Sequence, residues 1–250
     1  MAMVGSSDGE RAAGGGHFAT THWSVVLAAG EASAPQAREA LEELCATYWY
    51  PIYSFLRRQN RTHHDAQDLT QSFLTHLLEK NRLQSVDARQ GKFRSFLLAS
   101  LKNFLTNDWD KTQALKRGGQ FTFVSVDAEV GEERFRRELA TTAVPDQMFE
   151  QSWAMTLLES VLARLRAEYL ANEKAALFDA LQVYLSGDRG GASYAEMAKR
   201  LNLTEGALKM SVLRLRRRFG ELLRAEIANT VTSPEEIDDE IRCLFAAVSA

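Results

Sequence analysis

The sequence predicts an all-α protein, and three features lead there. Only four prolines occur in 250 residues, at 35, 51, 145 and 234, so long stretches lack the residue that interrupts helices. Apolar residues return every three to four positions through most of the chain. The strict alternation of a half-buried strand is scarce. Apolar residues make up 45% and charged residues 25%, ordinary values for a globular protein with room for one large or two small cores. The elements arrange themselves as two helical domains joined by an acidic linker.

Residues 1–17, with glycines at 5, 9, 14, 15 and 16 among small and polar residues, read as a disordered leader. A short helix is expected within Phe18–Gly30, capped by Thr20 or Thr21 and apolar at Trp23, Val26 and Leu27. Ala37–Gln59 is amphipathic, with Leu41, Leu44, Cys45, Tyr48, Trp49, Ile52, Phe55 and Leu56 on one wide face; Pro51 leaves one kinked helix or two helices open. A helix from His64–Asp65 follows, carrying Ala66, Leu69, Phe73, Leu77 and Leu78 inward and Asp65, Asp68, Gln71 and Ser72 elsewhere. Acids in its first turn suit the helix dipole.

After a polar loop over 81–91, Lys92–Lys116 reads as one helix striped with Phe93, Phe96, Leu97, Leu101, Phe104 and Leu105. Residues 81–119 hold eight Lys/Arg against three acids. Asn103, Asn107 and Trp109 in this zone have the chemistry to hydrogen-bond and stack on unpaired bases, although a Trp at a helix end more often just packs there. From 118 to 146 glycines, a short β-like run and six acids read as the linker. Domain two opens near Pro145 with a helix through Phe149, Trp153, Leu157, Val161 and Leu165, and a second helix is expected over Tyr169–Tyr184.

Ser193–Arg224 has the pattern of a helix-turn-helix. Tyr194, Met197, Ala198 and Leu201 form a short apolar face, Asn202-Leu203-Thr204 breaks it, and Thr204 is placed to cap a helix starting at Glu205. Leu208, Val212, Leu215 and Phe219 supply that helix's buried stripe. Eight Lys/Arg against three acids give this stretch +5, in a chain whose net charge is −3. Basic charge concentrated on a second helix suits contact with DNA phosphates in a major groove, whereas a solvated charged face is the plainer alternative. Residues 225–250 carry six acids and one Arg, with Ser233 and Pro234 opening a last amphipathic helix. That acidic helix either folds over the basic one or packs elsewhere.

Other classes find little support. Cys45 and Cys243 make no disulfide framework and no metal spacing, and no metal or other cofactor is expected. There is no Gly-rich phosphate loop, no HExxH and no ordered nucleophilic triad, so no catalytic residues are assigned and an enzyme is not expected. No apolar run has the length of a membrane span and the N-terminus lacks a secretion-signal pattern, so the expected location is the cytoplasm, without membrane insertion.

Taken together, D65-A-Q-D-L-T-Q-S-F73, F93-R-S-F-L-L-A-S-L-K-N-F-L-T-N-D108, S193-Y-A-E-M-A and E205-G-A-L-K through R214-L-R-R-R218 resemble the sigma-70 family of bacterial RNA polymerase sigma factors, in its small extracytoplasmic-function class. The resemblance covers about 37–117 and 147–224. It implies a region 2-like domain over 18–117, a region 4-like domain over 147–224 and an acidic extension over 225–250. It implies core RNA polymerase (its clamp and flap regions) and promoter DNA as partners, with an anti-sigma protein or another regulator in addition. Asp65, Asp68 and Gln71 fall where the family docks on polymerase. Asn103, Asn107, Asp108 and Trp109 fall where it captures the downstream (−10) element. Glu205, Lys209, Ser211, Arg214, Arg217 and Arg218 fall on the helix that meets the upstream (−35) element, and Met210 and Leu213 depart from the polar side chains common there. Two other readings stay open: a stand-alone helix-turn-helix regulator, and a helical protein-interaction module that does not bind DNA.

Overall fold

The computed structural model describes residues 35–79, 92–107, 128–138, 144–185, 193–231 and 233–249. Every regular element among them is a helix, as the residue periodicity predicts. The chain order is α1 (Pro35–Arg58), α2 (His63–Glu79), α3 (Phe93–Asn107), α4 (Ala128–Glu138), α5 (Pro145–Ala171), α6 (Ala175–Leu181), α7 (Tyr194–Arg200), α8 (Glu205–Ala228) and α9 (Ile237–Ser249). Short 3-10 turns at Gln182–Tyr184 and Pro234–Glu236 follow α6 and precede α9. None of these helices is long and apolar enough to cross a membrane. The leader, the Phe18–Gly30 helix and the 81–91 loop expected from the sequence lie outside the described residues.

Helix α1 continues through Pro51. A proline in a helix interior costs about 3 kcal/mol. Burial outweighs it: Tyr48, Ile52, Tyr53, Phe55 and Leu56 are all buried to within 1% of completely, and each such side chain contributes about 1.5–3 kcal/mol. Three helices then end in one way. Asn60, Glu173 and Asn202 each take a left-handed φ, of 62°, 57° and 53°. The next amide in each case reaches back five residues: Arg61 N to Leu56 O, Lys174 N to Tyr169 O and Leu203 N to Ala198 O. These are Schellman ends, which Asn tolerates and Glu does not favour. The one at Glu173 stops α5 at Ala171, so Tyr169 belongs to α5 and the helix expected over Tyr169–Tyr184 is instead α6 with its 3-10 turn.

Helix α4 lies within the stretch that composition assigns to a linker, and it is docked on α1. Gly131 makes the approach possible, because a Cβ there would stand 2.8 Å from Trp49 Cζ3. Glu132 accepts from Tyr53 Oη at 2.5 Å and from Arg57 Nε and Nη2 at 3.0 and 2.9 Å. Burial pushes the Glu132 carboxyl up, but the hydrogen bonds from Tyr53 and Arg57 prevail and hold it below its ordinary value. Burial and that same bond raise the Tyr53 hydroxyl. Arg134 lies over the Tyr50 ring, and Tyr50 Oη donates to Glu138 at 2.6 Å. Acids among polar residues look like a solvated spacer; here Glu132 and Glu138 find partners on α1 and Asp146 pairs with Lys102 of α3.

The N-terminal and C-terminal helices share one core. Helix α5 packs along α1, and the hydroxyl of Ser54 meets that of Ser152 at 2.9 Å between them. Trp153, Phe149 and Leu157 of α5 are buried in the same cluster as Tyr48, Ile52 and Phe55 of α1. Helix α9 packs against α5 and brings Leu244 and Glu240 to full burial. The backbone joins in as well, since Phe93 N donates to Thr230 O at 3.4 Å.

Candidate nucleic-acid interface

Helices α7 and α8 form the helix-turn-helix. Ser193 caps α7 in a capping box: its Oγ accepts from Glu196 N at 3.2 Å, and Glu196 Oε2 accepts from Ser193 N at 2.8 Å. The Asn202 Schellman end reverses the chain, and Thr204 Oγ1 accepts from Ala207 N at 3.1 Å to open α8. Both helix ends are therefore satisfied within a four-residue turn. Met197, Ala198, Leu208, Val212 and Leu215 are buried, and Phe219 half-buried. Tyr184 stacks on Tyr194 at 4.9 Å beneath the turn.

The cations of α8 divide into two groups. Arg216 donates from Nε and Nη2 to the Tyr184 carbonyl at 3.0 and 2.7 Å. Arg218 makes a two-pronged pair with Glu168 of α5 at 2.8 and 2.6 Å, and that guanidinium holds the Glu168 carboxyl below its ordinary value. These two fasten α8 to the rest of the fold. Lys209, Arg214 and Arg217 face solvent. Lys209 pairs with Glu205 at 2.6 Å along the helix surface, and Arg217 with Glu221 at 2.9 Å. Such exposed pairs are worth under about 1 kcal/mol and are readily exchanged for phosphate. Ser211 Oγ donates back to Ala207 O at 2.9 Å, so its hydroxyl faces its own helix.

Opposite the buried stripe, the outward ridge of α8 runs through Gly206, Met210, Leu213 and Arg217. Met210 is 49% and Leu213 58% exposed. The acidic C-terminal helix leaves this ridge open; its ion pair with α8 is Arg224–Asp238 at 2.6 Å, beyond the ridge. Of the two placements the sequence allowed for that helix, the structure has it packed chiefly on α5, with a smaller contact on α8 around Arg224.

Asp65, Asp68 and Gln71 share one exposed face of α2. Asp65 also closes the helix start, because the Thr62 hydroxyl accepts from its N–H at 3.1 Å and donates to its carboxylate at 2.8 Å. Asn103 is exposed on α3. Asn107 ends α3, with its side chain outside the described residues, as are Asp108 and Trp109 altogether. The described cations of this second basic zone all have acidic partners, with Arg94 buried, Lys92 half-buried and Lys102 exposed. Lys92 reaches Glu240 at 2.6 Å, Arg94 pairs with Glu240 and Glu150, and Lys102 pairs with Asp146 at 2.6 Å. Counting charge along the chain could not find these partners, which come from α5 and α9.

The arrangement can hold a polyanion along α8 by charge and leave an apolar ridge between the cations. Comparison with known proteins matches the chain to no family model, no curated protein and no solved structure.

Proposed function

We propose that this chain is a sigma factor of the extracytoplasmic-function class, which binds core RNA polymerase and directs it to promoters. The observation that carries the reading is the outward face of α8. A tightly capped helix-turn-helix holds Lys209, Arg214 and Arg217 in solvent, while Arg216 and Arg218, also at the surface, bond to the Tyr184 carbonyl and to Glu168. That division suits a helix laid in a major groove, with cations toward phosphates on both walls. The exposed carboxylates Asp65 and Asp68 supply a second surface whose charge suits docking on the polymerase clamp. Catalysis of RNA synthesis rests with polymerase; this subunit contributes duplex recognition through α7–α8 and base capture through the segment around Asn103, Asn107, Asp108 and Trp109.

The test is run-off transcription with the full chain, bacterial core polymerase and a genomic promoter pool. Defined start sites that core alone does not use support the reading; initiation no better than core alone sinks it. One observation favours a second reading, a stand-alone regulator. The region 2-like and region 4-like helices share a core, so the chain can act as one unit on DNA. Sequence-specific duplex binding that core polymerase neither requires nor strengthens would select that alternative.

A further inference from the structure

We infer that the outward ridge of α8 reads thymine: Met210 and Leu213 are the specificity-determining side chains, and they pack against thymine 5-methyl groups in the upstream element. The inference rests on the reading that α8 enters a DNA major groove, and it names what that helix recognises there.

The polar side chains along α8 have partners within the protein, which phosphate can displace at the exposed pairs. Glu205 holds Lys209, and the Ser211 hydroxyl is bonded to Ala207 O. Arg217 is paired with Glu221, and Arg216 and Arg218 are anchored to Tyr184 and Glu168. At 3.6 residues per turn, Met210 stands opposite the midline of Leu208, Val212 and Leu215, with Leu213 one turn further along the same ridge. Both are long apolar side chains left about half exposed, on a helix whose core positions are already filled. Lys209 lies to one side of the ridge and Arg214 to the other. An apolar strip bordered by cations on both sides complements a groove with phosphate walls and a methyl-bearing floor. The thymine C5-methyl is the apolar group a base pair presents there.

Gly206 adds an independent observation. It stands at the head of the ridge, and a Cβ built on it would meet nothing within 4 Å. The fold therefore leaves room for a side chain at this place. A bare backbone at the head of the ridge fits close approach by another molecule, as a groove wall would require.

The experiment uses the full chain with bacterial core polymerase. Bound duplexes are selected from a random pool, and the enriched upstream element is then remade with deoxyuridine for each thymine, which removes the methyl group alone. Affinity is expected to fall about four-fold per contacted methyl. Met210→Ala and Leu213→Ala, both at exposed positions, should each lose part of the preference for thymine over deoxyuridine, and the double variant most of it. Gly206→Ala should unfold no earlier than the parent chain yet bind the element more weakly. An enriched element bound equally with thymine or deoxyuridine overturns this inference and leaves the proposed function standing. Enrichment of no element, with or without polymerase, overturns both. Loss of polymerase affinity in Met210→Ala or Leu213→Ala in the absence of DNA overturns the inference and assigns the ridge to a protein partner.

Discussion

Arg94 and Glu240, 146 residues apart in the chain, meet in the core: Arg94 Nε lies 2.6 Å from Glu240 Oε1 and Nη2 lies 3.2 Å from Oε2. Lys92 adds a third contact to the same carboxylate at 2.6 Å, and Arg94 is spread over the Trp153 ring at 4.7 Å. Glu240 is completely buried. Removing one partner of a buried pair leaves an uncompensated charge and costs about 3–5 kcal/mol. Glu240→Ala should lower the unfolding free energy by about that amount, read from urea midpoints, and deletion of 232–250 should lower it further. An unchanged midpoint in Glu240→Ala would place the carboxylate in solvent.

The two groups of α8 cations should separate by experiment. Arg214→Ala and Arg217→Ala should leave stability within about 0.5 kcal/mol, reduce DNA affinity and lower the salt slope of binding by about one each. Arg218→Ala removes the two-pronged pair with Glu168 and should cost up to about 1 kcal/mol of stability. Thermal melts beside salt titrations of binding measure both effects. If Arg218→Ala lowers only the salt slope, it belongs with the phosphate contacts.

Acid should weaken the fold through Glu132 and Glu168. Hydrogen bonds hold both carboxyls below the ordinary value near 4.5 in the folded chain. The unfolded chain therefore binds more protons as pH falls, so the stabilisation is whole above the ordinary carboxylate range and is lost as pH falls through the lower folded values. Urea midpoints taken stepwise below pH 4.5 should drop, and Glu132→Gln should flatten part of that slope. An identical slope in Glu132→Gln would rule out this carboxylate as a source.

Gly131→Ala tests the docking of α4. The added methyl would meet Trp49, which is stacked on Tyr53 at 5.0 Å and held in place. Overpacking of this kind costs about 1–3 kcal/mol, more than the helix preference of alanine returns. A lowered melting temperature is expected; a raised one would show that α4 does not press on α1.

On α2, Asp68→Lys is cleaner than a change at Asp65, which also closes the helix start through Thr62. Asp68→Lys should leave the melting temperature unchanged and weaken core-polymerase binding in a fluorescence titration. Unchanged affinity would remove this face from the proposed interface.

Local features were open to reading because they depend on near neighbours in sequence. Thr204 was recognisable as a cap, Asn202 as part of the break before it, and Leu208, Val212 and Leu215 as a stripe, each from residues within two turns. The exposed ridge at Met210 and Leu213 follows from the same periodicity. The stop at Glu173 was hidden, since glutamate carries no preference for the left-handed φ of 57° that accompanies the Lys174 N to Tyr169 O bond. Charge misled over longer range. The 81–119 stretch counts as basic, yet Lys92, Arg94 and Lys102 are paired with Glu240, Glu150 and Asp146.

By itself, then, the sequence determined the all-α class, most helix stripes and caps, and the helix-turn-helix with its basic second helix. Helical periodicity and capping act over three to six residues, and the chain carries that information locally. Only the tertiary structure decided that α4 docks on α1, that α9 packs on α5 and that Arg216 and Arg218 are anchors while Arg214 and Arg217 stay in solvent. Those outcomes depend on which carboxylates and rings meet across tens of residues, where burial and ion pairing select the partner and spacing along the chain does not.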